Sequence, residues 1–338
     1  MDSKTVLEQK YKEIIKSYLE NQNEQVLYHA QQLSRKSIEY RISPEEIINW
    51  HRTIMHEIEP SVPSSILRSF DVLLELMMGY GLAYREHQSL RSQQQELKTE
   101  IEIAASMQKT LLGTKIPQTD FLDIGAISVP AKHMSGDYFH FVTDENGCIG
   151  VAIADVIGKG IPAALCMSMI KYAMDSLQGN GEPNIILESL NRVVEQNVDP
   201  NMFITMFYGL YNPLNHYLSY SSAGHEPGFY YDSNRREFTD LYAKGLLLGI
   251  EKNTKYRQYK KFIQKNDLII LLSDGVTECR TNEGFIERNT LTHLIGKYIH
   301  LPAQEIVTNV YKELERLQAF QLRDDFTLII LKRIFKKV

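Results

Sequence analysis

Acidic residues stand beside apolar, strand-like segments at four separate places in this 338-residue sequence. The stretch SGDYFHF puts Asp137 directly after a glycine, where a strand begins. In IGVAIADV no polar side chain precedes Asp155. LIILLSDG ends on Asp274 and Gly275, and RDDFTLIIL opens with Asp324 and Asp325. An ionised carboxylate at the edge of a buried strand is costly unless a cation or hydrogen bonds meet it. A turn explains any one of these acids, because Asp and Gly both suit tight backbone. The recurrence asks for a common cause.

Convergence of these acids on one pocket would supply that cause, and it would require metal. Two carboxylates ~4 Å apart repel by roughly 4 kcal/mol at an effective dielectric of 20, so several together stay protonated or need cations. Donor sets made of oxygen, without His or Cys, suit the hard ions Mg²⁺ or Mn²⁺. Two such ions bridged by an aspartate acidify a shared water and hold a phosphoryl group.

Other chemistries are poorly served. Cys148, Cys166 and Cys279 lie far apart without a C-x-x-C pair, which excludes a disulfide framework or structural zinc and suits a reducing cytoplasm. Arg280 follows Cys279 directly, so the spaced Cys…Arg loop of a thiol phosphatase is missing. The ten histidines lack H-E-x-x-H spacing. Lys159 sits between Gly158 and Gly160, yet the phosphate-loop pattern that would use it is absent. Met167, Met169 and Met174 fit a core helix after Gly160, and His225, between Gly224 and Pro227, fits a structural role at a turn. A net charge of −5 offers no basic field to nucleic acid. No apolar run reaches the ~18 residues of a membrane helix, and MDSKTVLEQK does not read as a signal peptide. A cytoplasmic protein with no nucleic-acid or membrane partner is expected.

The elements that must position the acids lie after Pro117. LDIGAISVPA, CIGVAIADV, FITMFYGLY, YLSYSSAG, GFYYD, DLIILLSDG and DFTLIILKRI have strand length and are rich in β-branched and aromatic residues. Helical pairs at 161–177 with 184–197, and at 291–300 with 303–320, are interspersed. That mixture predicts an α+β layered fold.

Before Pro117 everything reads helical. Ser43, Pro44 and Glu46 form a capping-box start, and Ile47, Ile48, Ile54, Met55 and Ile58 follow at helical spacing until Pro60 and Pro63. Segments 3–19 and 23–40 and a fourth helix from Ser64 complete an antiparallel bundle. In the fourth helix a seven-residue repeat runs from Leu73 through Leu76, Tyr80, Ala83, His87, Leu90, Gln94, Leu97, Ile101, Ala104 and Gln108 to Leu111. It suits a dimeric coiled coil weakened at His87, Gln94 and Gln108, or a helix packed on its own chain. The expected organisation is a helical bundle over 1–84, a coiled-coil linker over 85–117 and a catalytic domain over 118–338.

SGDYFHF, IADVIGKG, SSAGHEPGFYY, LLSDGVTE and DDFTLIIL, in that order, resemble the metal-dependent serine/threonine phosphatases of the PP2C type, in their bacterial stage-two-sporulation branch. The match spans about 121–332. The resemblance implies an α/β sandwich of two sheets flanked by helices. It also implies single-step attack by activated water on phosphorus, with two Mn²⁺ or Mg²⁺ ions. Asp155 resembles the bridging ligand, with the Val156 carbonyl beside it, where many members carry glycine. Asp137 resembles a ligand to one ion; Asp274 and the Asp324/Asp325 pair resemble ligands to the other, with Asp324 favoured as direct and Asp325 behind it. The phosphate-clamping arginine of many eukaryotic members has no evident counterpart.

The helical first third, with IINWHR at Ile47–Arg52, resembles the stress-response members of that branch. The implied substrate is a serine-phosphorylated anti-anti-sigma factor, and the implied activator is a kinase-like protein docking on the bundle of a homodimer. Tightening of the Leu90–Leu111 seam is the expected route of control. Two rivals remain: an inactive scaffold with the same fold, and an ATP-binding kinase, for which DVIGKG has the wrong spacing and no Glu-x-x-x-Asn box precedes it.

Overall fold

Helical periodicity before Pro117 and strand character after it are both realised. The computed structural model describes residues 3–335 apart from 157, 159, 178–180, 200, 201, 282, 283, 319 and 321, so Lys159 lies outside the described residues. The chain divides into two compact units, Met1–Thr99 and Glu100–Val338.

The first unit contains α1 (Ser3–Glu20), α2 (Glu24–Glu39), α3 (Pro44–Ile58) and the start of α4 (Ser64–Leu112). Asn23 caps α2 by accepting the Gln25 amide at 2.9 Å, and Ser43 with Glu46 forms the expected capping box on α3. Leu7, Ile15, Leu33, Ile42, Trp50 and Ile54 make the buried core. Each such side chain contributes roughly 1.5–3 kcal/mol by leaving water. Helix α4 is unbroken for 49 residues and stops before Gly113. Leu76, Tyr80, Leu90 and Leu97 of the heptad seam are exposed on it. Gln108 departs from the expected seam: it is buried against its own chain.

The second unit contains β1 (Leu122–Val129), β2 (Asp137–Thr143), β3 (Ile149–Val156), α5 (Ile161–Ser176), α6 (Pro183–Asn197), β4 (Ile204–Asn212), β5 (Tyr217–Ala223), β6 (Gly228–Asp232), β7 (Glu237–Leu241) and β8 (Tyr259–Phe262). It continues with β9 (Leu268–Leu272), α7 (Asp274–Thr277), β10 (Arg280–Thr281), β11 (Gly284–Phe285), α8 (Arg288–Tyr298), α9 (Ala303–Leu317) and β12 (Phe326–Arg333). Two antiparallel five-stranded sheets form, in the orders β1-β12-β9-β6-β7 and β2-β3-β4-β5-β8.

Strand alternation explains the layers. Val151, Ile153, Ile269, Leu271, Ile329 and Leu331 fill the space between the sheets. On the outer face of the second sheet Ala152, Ala154 and Met206 meet Met167, Ile170 and Met174 of α5 and Leu187 of α6. On the outer face of the first, Leu268, Ile270 and Leu328 meet α8 and α9. Both faces of the central strands are covered, which is why LIILL of β9 and LIIL of β12 are apolar throughout. Strands β7 and β8 were not legible in the sequence. They are sheet edges whose residues, EFTDL and YKKF, are largely exposed and charged, as edge protection favours.

Candidate metal centre

The same alternation aims the acids. Asp137 and Asp155 are paired across β2 and β3, on the face that carries Val151 and Ile153 toward the other sheet. From that other sheet, Asp325 shares the inward parity of Ile329 and Leu331, and Ser273 that of Ile269 and Leu271. One end of the sandwich is therefore closed by carboxylates from both sheets.

Hydrogen bonds fix the meeting. Asp325 accepts the Ala131 amide at 2.8 Å through Oδ1 and the Gly136 amide at 2.6 Å through Oδ2. Ser273 donates its amide to the Thr327 carbonyl, and its hydroxyl accepts the Thr327 amide, each at 3.0 Å. The α7 turn packs tightly on the Asp324–Asp325 segment. A Cβ on Gly275 would lie 2.0 Å from the Asp325 carbonyl oxygen, so only glycine fits.

Electrostatics report crowding. Burial pushes the Asp137 carboxyl well above its usual range; the Ser273 and Thr327 hydroxyls pull it partly back, and Asp155 and Asp325 push it further up. Its Oδ2 is buried without a hydrogen-bond partner. Asp274 is also raised, by burial and then by Asp324 and Glu278. The acids thus stand as two pairs, Asp137 with Asp155 and Asp274 with Asp324, and Asp325 links them. Among the described residues no three His, Cys, Asp or Glu side chains are already closed around one point.

The donor set nevertheless fits a hard cation. The space above Gly136, where a Cβ would sit, is bordered by the Val156 carbonyl at 3.4 Å, the Gly158 carbonyl at 3.4 Å and Asp155 Oδ1 at 3.5 Å. These three atoms, the nearest to that point outside the adjoining residues, are all oxygens, the donor type that suits Mg²⁺ or Mn²⁺. Gly160 has φ +79°, a left-handed conformation that turns the chain from β3 into α5. His225 lies behind this rim. Its Nδ1 pairs with the Thr205 hydroxyl at 2.9 Å, and Thr205 is the cross-strand partner of Asp155. Burial holds the imidazole down to about 4, so it is neutral.

Sequence reasoning missed two cations and a histidine. A cavity of about 350 Å³ beside Asp324 and Asp325 is lined by Lys132, His133 and Arg323 together with Ile101 of α4 and Pro162 of α5. Lys132 and Arg323 are exposed. The available signal was adjacency: Arg323 immediately precedes the acid pair.

Two sheets flanked by helices, with carboxylates gathered at one end of the sandwich, define the architecture of the PP2C-type phosphatases. The family described as Stage II sporulation protein E (SpoIIE) matches residues 145–334, and that described as Phosphoserine phosphatase RsbU, N-terminal domain, matches residues 9–83. Phosphoserine phosphatase RsbU of Bacillus subtilis (strain 168) is 59% identical over 334 residues, covering 98% of this chain and 99% of the relative. The chain belongs to the RsbU family of phosphoserine phosphatases.

Solved structures agree on the fold. The SiaA-PP2C domain of Pseudomonas aeruginosa superposes with a TM-score of 0.61 at 15% identity, covering 71% of this chain and 98% of that domain. The PP2C phosphatase domain and a regulatory fragment of SpoIIE from Bacillus subtilis gives 0.54 at 20% identity, covering 62% and 63%. Among the described residues no helix is long and apolar enough to cross a membrane.

Proposed function

We propose that this phosphatase removes phosphate from a serine-phosphorylated, RsbV-like anti-anti-sigma factor. An RsbT-like kinase-fold partner switches it on by binding the helical domain, residues 1–84, of a homodimer, and the signal passes through the linker, residues 85–117. The observation that carries the catalytic half is the meeting of Asp137 and Asp155 from one sheet with Asp325 from the other, next in sequence to the Asp324 that faces Asp274. The identity to RsbU supports the partner half, and the exposed Leu76, Leu90 and Leu97 supply an apolar stripe for the second copy.

Asp137, Asp155, Asp274, Asp324 and the Val156 carbonyl would hold two Mn²⁺ or Mg²⁺ ions, and Asp325 would brace the Gly136 turn behind them. Bound divalent ions supply Lewis-acid activation of water and neutralise phosphoryl charge. The chain's own residues do the rest. Asp155 would act as a ligand beside Asp137, its cross-strand partner. Lys132 and Arg323 draw the dianionic phosphoserine to the cavity beside Asp324. The neutral His225 keeps Thr205, and through it the Asp155 backbone, in place.

The test is release of phosphate from phosphoserine substrate by the purified full-length chain, with Mn²⁺ or EDTA and with or without the kinase-like partner. Turnover should require metal and rise with partner, and Asp155→Ala should lose about 10³-fold or more. No release under any of these conditions would leave only a scaffold.

A further inference from the structure

Gln108 is only 6% exposed, although Met107 and Leu111 beside it on α4 are 61% and 53% exposed. Its carboxamide meets both backbone groups of one residue. Nε2 donates to the Ser135 carbonyl at 2.7 Å, and Oε1 accepts the Ser135 amide at 3.2 Å. The Ser135 hydroxyl then accepts the Asp137 amide at 3.1 Å, while Asp325 holds the Gly136 amide between them. All three amides of the turn that delivers Asp137 are thereby fixed, and the first is fixed from α4.

A second grip lies at the far end of the same contact. Just past α4, the Thr114 hydroxyl pairs with His140 Nδ1 at 3.2 Å and accepts the Phe141 amide at 3.4 Å. The end of α4 and the residues just past it therefore hold this segment at two points, one beside Asp137 and one in the middle of β2.

We propose that Gln108 is a positioning residue for the metal centre: its two hydrogen bonds to Ser135 set the turn from which Asp137 reaches the ion. This rests on the proposal above that Asp137 is a metal ligand. The side chain suits the task because a carboxamide presents an NH2 donor beside a carbonyl acceptor, so one group meets both the C=O and the N–H of Ser135. Leucine or methionine at the same place keeps the packing and loses both bonds. Glutamate keeps the acceptor and sets a carboxylate oxygen against the Ser135 carbonyl. Partners of this kind behind metal ligands control affinity more than chemistry.

The experiment is calorimetric Mn²⁺ titration of the full chain carrying Gln108→Met or Gln108→Glu, with circular dichroism as the check on folding. Mn²⁺ affinity should fall roughly tenfold to hundredfold. At saturating Mn²⁺ kcat should recover, with the KM for phosphoprotein unchanged. Unchanged Mn²⁺ affinity in a folded Gln108→Met chain overturns the proposal. Asp137→Asn, run in parallel, separates the two layers: if it too binds Mn²⁺ normally, the metal assignment has failed, not only the role of Gln108. Amide exchange in the unsubstituted chain gives a readout independent of any variant. Slow exchange at Ser135 supports the clamp, and exchange at the rate of an open loop overturns it.

Discussion

Oδ2 of Asp325 accepts the Gly136 amide at 2.6 Å, a bond between the two sheets immediately before Asp137. With Oδ1 committed to Ala131, both oxygens of Asp325 already serve the backbone. Asp324 instead repels Asp274 across the α7 turn, as co-ligands of one ion would. The two aspartates should therefore respond differently to amide replacement. Asp325→Asn loosens the Gly136 turn, so the Mn²⁺ concentration for half-activation should rise about tenfold while excess metal restores most of kcat. Asp324→Asn should lose activity that no metal concentration restores. Initial rates of phosphate release over a Mn²⁺ series distinguish them, and the reverse order would exchange their roles.

Lys132 and Arg323 face the cavity beside the acids as exposed cations. Exposed charges act weakly and are screened by salt, so single removals should be modest. Arg323→Gln or Lys132→Gln should raise the KM for phosphoprotein roughly threefold to tenfold, with kcat nearly unchanged. The double variant should also flatten the dependence of kcat/KM on ionic strength. Equal salt dependence in variant and parent would remove these residues from substrate binding.

What the sequence disclosed follows burial. Strands β3, β9 and β12 announced themselves because both faces are covered, and their terminal acids stood out against that apolar background. The edge strands β7 and β8 carry the charges of solvent-facing segments and so resembled loops. Lys132 and Arg323 were invisible for the same reason, since a cation on an exposed loop has no local mark of purpose. Gln108 misled differently. Heptad counting sees only positions along one helix, and the residue that satisfies it, Ser135, is brought to α4 by tertiary folding.

His225 makes a pH prediction. Its pKa is lowered from the ordinary 6.5 to about 4 by burial. Between those values the unfolded chain binds a proton that the folded chain refuses, so stability rises with pH across that window and falls on acidification. The full difference is on the order of 3 kcal/mol. Urea unfolding of the metal-free chain from pH 4 to 7 should show a shallower slope for His225→Gln than for the parent, whatever the absolute loss from repacking. Parallel slopes would mean that His225 titrates normally in the folded state.

Gln94 and Gln108 occupy the same row of the seven-residue repeat, and on the sequence pattern their replacement by leucine should have the same effect. Their surroundings differ. Gln94 is exposed on α4, whereas Gln108 is buried on Ser135. Leucine at position 94 adds to the stripe of Leu90 and Leu97, and burying it against a second copy stabilises the paired state by roughly 1.5–3 kcal/mol per chain. If tightening of that seam activates the enzyme, Gln94→Leu should raise partner-independent phosphate release about tenfold or more. Sedimentation should show a stronger dimer in parallel. Gln108→Leu adds nothing to the seam and releases the Ser135 turn, so at limiting Mn²⁺ it should lower turnover. The Gln94→Leu/Gln108→Leu chain should then dimerise like the first variant and respond to metal like the second. Activation by both single substitutions alike would put Gln108 in the dimer seam and contradict its contact with Ser135.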